Sequence, residues 1–207
     1  MSRPIAPGRG RPIDQAKREA ILDAAAARFL EDGYSACSIE GIAAQAGVSK
    51  VTIYNQFGGK EELFRAAIER ECDAIRRKLL FDGDGEPIRD RLLRFGLEMH
   101  AFLFRPEMRQ FERSVAAETE RDPAVGRAFL EAGPRRIKDA LAALLIRSRE
   151  RGELQFEDAD LVAEQFAGMV KGMAEVEWRF AGEYDAAKSA ARVENAVETI
   201  MRAYGSS

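Results

Sequence analysis

Residues 38–60 read SIEGIAAQAGVSKVTIYNQFGGK, and this stretch decides the fold of the chain. Ser38 and Ser49 each stand directly before a helix-like segment, where a serine hydroxyl caps the first turn. Gly47 separates the two segments and accepts the left-handed backbone of a tight turn. The pattern predicts two short helices and a third that follows at once, the layout of a helix-turn-helix unit. An ordinary surface hairpin of helices is the alternative.

Longer segments around this unit resemble the N-terminal domain of the TetR family of bacterial repressors. The resemblance covers residues 15–65, in the segments ILDAAAARFLEDGY, SIEGIAAQAGVSKVTIYNQF and GGKEELF. The tract TIYNQFGGKEELF is its most specific part, because a tyrosine, a phenylalanine and a Lys-Glu-Glu-Leu run recur at this spacing in that family. Gln56 is a departure, since the family often has histidine there, but a glutamine amide also donates to phosphate.

The resemblance implies that the unit binds duplex DNA through side chains at matching positions. The serines at the helix N-termini and Lys60 would contact phosphates. Val51 and Thr52 would approach base edges in the major groove, partly through the thymine methyl group. The predicted DNA-contacting residues of the unit are Ser38, Ser49, Lys50, Val51, Thr52, Tyr54, Asn55, Gln56 and Lys60.

Residues 1–12 are expected to form a flexible basic arm in front of the unit. Arg9 and Arg11 flank a glycine in the proline-bounded segment PGRGRP, and such an extended segment fits a narrow minor groove. Residues 1–18 carry five basic side chains and one acidic side chain, whereas the whole chain has a net charge of −3. The positive charge is therefore concentrated beside the predicted DNA-binding unit. A solvated tail without DNA contact is the alternative.

The composition predicts an all-α fold. The chain has 207 residues, of which 46% are hydrophobic, enough for a buried core in one or two domains. Alanine is abundant and strand-like alternation is scarce, so about ten helices are expected. No apolar run is long enough for a membrane span or a signal peptide. The two cysteines suit a reducing cytoplasm; Cys72 is expected in the core, and Cys37 is either a small buried residue or a redox switch.

Nothing in the sequence predicts catalysis. His100 is the single histidine, and no cysteine or carboxylate lies near it at metal-ligand spacing. The chain also lacks a glycine-rich phosphate loop, a nucleophile elbow and a zinc motif. We therefore expect no enzyme activity, no metal and no cofactor. A helical enzyme or carrier that retains the DNA motif is the alternative.

The predicted domain organisation has four parts. These are the arm at 1–12, a helix-turn-helix DNA-binding domain at 13–59, a connecting helix at 60–81 and an effector-binding and dimerisation domain at 82–207. The loop DGDGEP places the last boundary. The first helix is expected over residues 13–31, with Gly33 as its C-terminal cap.

The last two predicted helices are expected to form a homodimer interface. The helix at 158–181 carries a wide apolar stripe, and the helix at 185–204 has apolar residues at steps of three and four. Two copies of each would form a four-helix interface, with packing inside one chain as the alternative. The predicted interface residues are Phe166, Val170, Met173, Val193, Val197, Ile200 and Tyr204.

Residues 104–154, from FRPEMRQFERS to IRSRERGEL, resemble the AefR-like type of C-terminal domain in the same family. This resemblance implies an internal cavity for a small apolar or aromatic effector, whose polar end would meet Arg105 or His100. Plain core packing is the alternative for these side chains. The predicted lining residues are His100, Phe104, Arg105, Met108, Phe111, Phe129, Phe166, Met169 and Trp178.

These observations predict a cytoplasmic, homodimeric repressor that leaves a palindromic DNA operator when an effector binds. One alternative is an activator or a regulator without an effector. Another is an architectural protein that binds DNA without sequence preference. The ratio of operator affinity to random-DNA affinity separates a specific regulator from an architectural protein.

Overall fold

The structure of the protein is a computed structural model that describes residues 15–80 and 85–206. The predicted arm, with Arg9 and Arg11, lies outside the described residues. The ten helices of the described part, α1 to α10 in chain order, are Gln15–Ala36, Ile39–Ala46, Lys50–Phe57, Lys60–Leu80, Ile88–Leu103, Pro106–Thr119, Pro123–Ala132, Pro134–Glu150, Ala159–Ala181 and Ala186–Tyr204. The predicted all-α fold is confirmed.

The helix-turn-helix unit consists of α2 and α3. The Ser38 hydroxyl accepts a hydrogen bond from the backbone N–H of Gly41 at 3.0 Å and so caps α2. Gly47 ends α2 in the left-handed conformation, with φ 66° and ψ 32°. Ser49 then caps α3 by accepting from the backbone N–H of Thr52 at 3.2 Å. The local sequence signals therefore produce the predicted turn.

The helical run of α1 is interrupted at Gly33, where the prediction placed its C-terminal cap. Gly33 has non-helical dihedral angles, φ 79° and ψ 172°, and a short helical segment continues after this kink to Ala36. A side chain at position 33 would collide with Ser114 of α6, because α6 packs directly against the backbone there. A contact with α6, which is distant in the sequence, thus shapes this end of α1, and the residues around Gly33 alone do not reveal it.

The first hydrophobic core joins α1, α2, α3 and α4 to α6 and α7. Three phenylalanines occupy its centre: the ring centroid of Phe64 lies 5.1 Å from that of Phe29 and 5.9 Å from that of Phe111. The helices that carry the helix-turn-helix unit therefore share one core with helices from the second half of the chain. The predicted domain boundary near residue 82 stays a prediction.

The second core joins α5, α8, α9 and α10, and it contradicts part of the predicted dimer interface. Five of the seven predicted residues are at most 1% exposed in a single protomer: Phe166, Val170, Val193, Val197 and Ile200. A side chain with no exposed surface has no area left to bury against a partner. The periodic apolar stripes of α9 and α10 pack on each other and on α5 within one chain, so these five assignments are wrong.

The outer side of α9 presents a different set of apolar side chains. Met173 is 63% exposed, as the predicted interface requires, and Tyr204 is half-buried and donates a hydrogen bond to the side-chain oxygen of Gln165 at 2.8 Å. The large apolar side chains exposed on α9 are Leu161, Met173, Val176 and Phe180. We call these four residues the outer α9 face.

The phenylalanine cluster gives a test of the first core. Replacing Phe64 by alanine should lower the free energy of unfolding by about 3–5 kcal/mol, because a fully buried ring is lost and leaves a cavity. Replacing Leu97, which is 41% exposed, should cost less than about 1 kcal/mol. Urea unfolding at one fixed protein concentration measures both. Equal losses for the two variants would contradict the assigned core.

Candidate nucleic-acid interface and internal cavity

One side of α3 anchors the helix and the opposite side faces solvent. Ile53 and Phe57 are buried in the first core, and the guanidinium of Arg18 lies 4.4 Å from the ring centroid of Phe57. The exposed side presents four residues predicted to contact DNA: Lys50, Val51, Tyr54 and Asn55. Val51 is 59% exposed and Tyr54 49%, so an apolar and an aromatic side chain are displayed where base edges and sugars would be read.

The cap uses the oxygen of each serine as an acceptor and leaves the hydroxyl proton for another acceptor. A serine oxygen that accepts a backbone N–H can still donate its own proton to a phosphate. The Ser38 oxygen accepts the backbone N–H of Gly41 at the start of α2. Ser38 and Ser49 are both exposed. The Ser49 oxygen lies 2.9 Å from the Thr52 hydroxyl, which is half-buried, so these two hydroxyls orient each other. The phosphate and base contacts of the three residues stay predictions.

Lys50 is held by a carboxylate of the neighbouring helix. Its ammonium lies 3.5 Å from Glu40 Oε1, which links the start of α3 to α2. A hydrogen bond from the backbone of Glu40 itself, and then the contact with Lys50, lower the pKa of the Glu40 carboxyl. Both side chains are exposed, and an exposed ion pair contributes little to stability. A DNA phosphate or base can therefore replace Glu40 at low cost.

Lys60 is already engaged within the protein. Its ammonium donates to the backbone oxygen of Ser35 at 3.3 Å and lies 4.5 Å from the ring centroid of Tyr34. Burial is the main cause of the lowered pKa of Lys60. An ammonium has three donors, so the predicted phosphate contact stays a prediction. Gln56 is half-buried, and its side-chain oxygen has no hydrogen-bond partner within the described residues. Its phosphate contact also stays a prediction.

Arg28 is a candidate DNA contact that the sequence reading missed. It lies on α1, and its guanidinium forms an ion pair with Asp32 at 2.8 Å. A methyl group placed on Gly41 would lie 3.4 Å from Arg28 Nη2 and 3.1 Å from Ser38 Oγ, so arginine and serine meet over the start of α2. The only sequence signal was an arginine within the apolar stripe of the first helix.

A cavity of about 660 Å³ lies between the two cores. Three of the nine predicted lining residues border it: Met108, Phe111 and Phe129. Residues from α1 also border it, including Phe29 and Leu30, which are not among the predicted lining residues. The volume lies in the range of sites for small organic ligands.

Six of the predicted lining residues lie elsewhere, because the stripe of aromatic and methionine residues belongs to other packing contacts. They are His100, Phe104, Arg105, Phe166, Met169 and Trp178. Phe166 and Met169 pack in the second core. Arg105 lies with its guanidinium 4.4 Å from the ring centroid of Phe102 and 3.8 Å from Glu71 Oε2.

The other three belong to an aromatic cluster with Tyr184. The rings of His100 and Phe104 stack with centroids 3.9 Å apart, and the Trp178 ring lies 6.2 Å from that of Phe104. Burial, followed by the charge of Arg192, lowers the pKa of His100. This cluster is a packing unit between α5 and the end of α9, and its side chains do not border the cavity.

Helix α6 lies between the cavity and the end of α1. One side of α6 borders the cavity through Phe111 and Val115. Another side contacts α1 at three positions spaced by four residues, which fall on one stripe of a helix. The contacting pairs are Gln110 with Glu31, Ser114 with Gly33, and Glu118 with Ser35. We call these three pairs the α1–α6 joint.

Both cysteines are buried, and neither forms a disulfide. Burial raises the pKa of the Cys37 thiol, and the charge of Lys60 offsets part of this rise. The raised pKa disfavours the reactive thiolate. Cys72 borders the cavity and belongs to the first core, as expected. Within residues 15–80 and 85–206, no group of three His, Cys, Asp or Glu side chains is arranged to hold a metal ion. None of the described helices is long and apolar enough to cross a membrane.

Within the described residues, the capped helices α2 and α3 and the exposed side of α3 have the layout of a helix-turn-helix DNA-binding unit. The bacterial regulatory protein family tetR matches residues 21–67, and the C-terminal domain family of AefR-like transcriptional repressors matches residues 90–206. The second match alone covers more than half of the chain. The chain therefore belongs to the TetR family of DNA-binding transcriptional regulators.

Relatives, two of them with solved structures, agree with this assignment. A TetR-family transcriptional regulator from Mesorhizobium loti is 28% identical, covers 94% of this chain and 100% of its own, and superposes with a TM-score of 0.78. The flavonoid-responsive regulator FrrA is 29% identical, covers 92% of this chain and 98% of its own, and has a TM-score of 0.72. A helix-turn-helix transcriptional regulator of Mycobacterium tuberculosis is 30% identical over 69% of this chain and 68% of its own length.

The two kinds of DNA contact on α3 and its surroundings should respond differently to mutation. Tyr54→Ala and Lys60→Ala should weaken binding to specific and random DNA alike, because contacts to the sugar-phosphate backbone carry no sequence information. Val51→Ala and Thr52→Ala should instead change the preferred base at one position, with a cost of about 1–3 kcal/mol on the specific site. Titrations against both DNAs at fixed salt measure this. Equal losses on both DNAs for all four variants would contradict the assignment.

Proposed function

We propose that this regulator is a homodimeric repressor, acting in the cytoplasm, that leaves a palindromic operator when a small apolar or aromatic molecule fills the cavity. The observation that carries the proposal is the position of α6, which borders the cavity on one side and forms the α1–α6 joint on another. No catalytic role is part of the proposal, since the function requires only binding and a change of conformation.

The outer α9 face is the proposed dimer surface. Phe180 is 82% exposed and Met173 63% in a single protomer, and large exposed apolar side chains favour contact with a partner. A second copy related by a two-fold axis would bury the same four side chains on both protomers. Two recognition helices would then face successive half-sites of a palindrome.

The cavity supports the proposed effector class. Its walls are mainly apolar, and the rings of Phe111 and Phe129 lie 5.8 Å apart in an edge-to-face arrangement that suits aromatic ligands. The similar regulator FrrA is described as flavonoid-responsive, which is consistent with an aromatic effector of this size. Phe29 and Leu30 border the same cavity, so a bound molecule would also touch the helix that supports the DNA-binding unit.

The α1–α6 joint is the proposed path from the cavity to DNA. A molecule between α6 and α1 would favour a position of α6 that fits the filled cavity. Because Gly33 carries no side chain, α6 contacts the α1 backbone itself, so a shift of α6 moves the end of α1. Lys60 bonds to Ser35 within that segment, which places a predicted phosphate contact beside the joint.

Selection from a pool of random duplexes tests the proposed function. The wild-type protein should enrich a palindromic sequence and bind it at least about a thousandfold more tightly than random DNA. Phe180→Asp should abolish the dimer in sedimentation experiments and weaken operator binding, because a charge would be buried in the interface. Ile146→Asp, on an exposed site of α8, is the matched control. Equal affinity for the enriched and the random duplex would instead favour an architectural protein.

A reporter gene downstream of the enriched sequence tests the sign of regulation. Repression by the protein supports the proposal, and activation of the reporter would contradict it. A screen for small molecules that release the protein from the enriched duplex then tests the effector.

A further inference from the structure

The charged side chains that border the cavity are concentrated where α6 meets α9. Lys171, Glu175 and Arg179 lie along α9, which is kinked at Gly172, and Glu175 forms ion pairs with both cations. Glu112 approaches them from α6.

Glu71 of α4 is the other carboxylate of the wall, and Arg70 and Arg105 flank it at 3.7 and 3.8 Å. The group on α6 and α9 is therefore the larger of two polar regions that a bound molecule could meet.

Within this group, both cations are paired with the same carboxylate, that of Glu175. Arg179 Nη2 lies 2.8 Å from Glu175 Oε1, and Lys171 Nζ lies 3.5 Å from Glu175 Oε2. The other two cations of the wall are Lys138, whose ammonium lies 3.2 Å from Asp160, and Arg113, which is exposed at the rim. The inner part of the polar region thus offers no unpaired cation to an anionic ligand.

Glu112 is bound less closely than its neighbours. Its Oε2 lies 3.7 Å from Arg179 Nη2, which exceeds the distance of a hydrogen bond. Its side chain is only 27% exposed, so the carboxyl is partly withdrawn from water. Burial raises the pKa of Glu112, with a partial offset from Arg179 and a smaller further rise from Glu175. The carboxyl therefore lacks a close donor while it faces an apolar cavity.

We propose that Glu112 is the polar anchor of the effector site, and that the effector is an uncharged aromatic compound bearing a hydroxyl group rather than a carboxylate. This inference rests on the proposed function, since it concerns the same cavity. A ligand hydroxyl would supply the hydrogen bond that the Glu112 carboxyl lacks. A carboxylate ligand would place a further negative charge beside Glu112 and Glu175, which is unfavourable in a partly desolvated site.

A matched pair of ligands tests the proposed chemical class of the effector directly. The compounds para-phenylphenol and para-phenylbenzoate share a biphenyl body and differ in the polar group, which is neutral in the first and anionic in the second at neutral pH. Calorimetric titration of the full-length protein should give at least about tenfold tighter binding for the phenol. Tighter or equal binding of the carboxylate, or no binding of the phenol up to its solubility limit, would overturn the proposal.

Variants of α6 test the anchor itself. Glu112→Leu should weaken phenol binding about tenfold and remove the preference over the carboxylate, whereas Glu112→Gln, which keeps a hydrogen-bonding group, should retain most of the affinity. Glu107→Leu is the matched control, because Glu107 is exposed on the same helix and does not border the cavity. Unchanged phenol binding in Glu112→Leu would contradict the proposal that Glu112 anchors the effector.

DNA binding separates this inference from the proposed function. Cooperative thermal unfolding and an unchanged helical circular dichroism spectrum of ligand-free Glu112→Leu would show that the variant is folded. If the phenol binds through Glu112 but does not release the operator duplex, the anchor stands and the proposed release mechanism fails. If a ligand releases the operator and binds equally well to Glu112→Leu and the wild type, the proposed release mechanism stands and the Glu112 anchor fails.

Discussion

The packing of α6 against the end of α1 is the contact on which the rest of the structure depends. At this point a helix from the second half of the chain reaches the backbone of the first helix, because Gly33 has no side chain. The contact merges the support of the DNA-binding unit with the wall of the cavity in one hydrophobic core. A change in the cavity can therefore reach the recognition helix through packed atoms over a short distance.

The local features of the DNA-binding unit could be predicted from the sequence because they depend on neighbours along the chain. Ser38 and Ser49 cap their helices and Gly47 adopts the left-handed turn, as their residue types require. The exposed side of α3 also follows from periodicity once Ile53 is placed inside. Family matches over both halves of the chain then support the functional class.

The tertiary arrangement of the second half could not be predicted in the same way. Phe166 and Val193 fit an interface stripe and a core stripe equally well, and only the packing of α9 on α5 and α10 decides between them. His100 and Trp178 have the composition expected of a ligand site but pack in a separate aromatic cluster. The cavity wall includes Phe29 of the first helix because α6 folds back on α1, which no local pattern encodes.

The central claim is that the contents of the cavity control operator binding through the α1–α6 joint. The most direct test is the operator affinity of Ala167→Trp, in which an indole grows into the cavity from α9, away from the joint. The account predicts a folded dimer with operator binding at least about tenfold weaker, within the coupling free energies of about 1–3 kcal/mol typical of allosteric proteins. Unchanged operator affinity, with the indole seated in the cavity of a crystal structure, would contradict it.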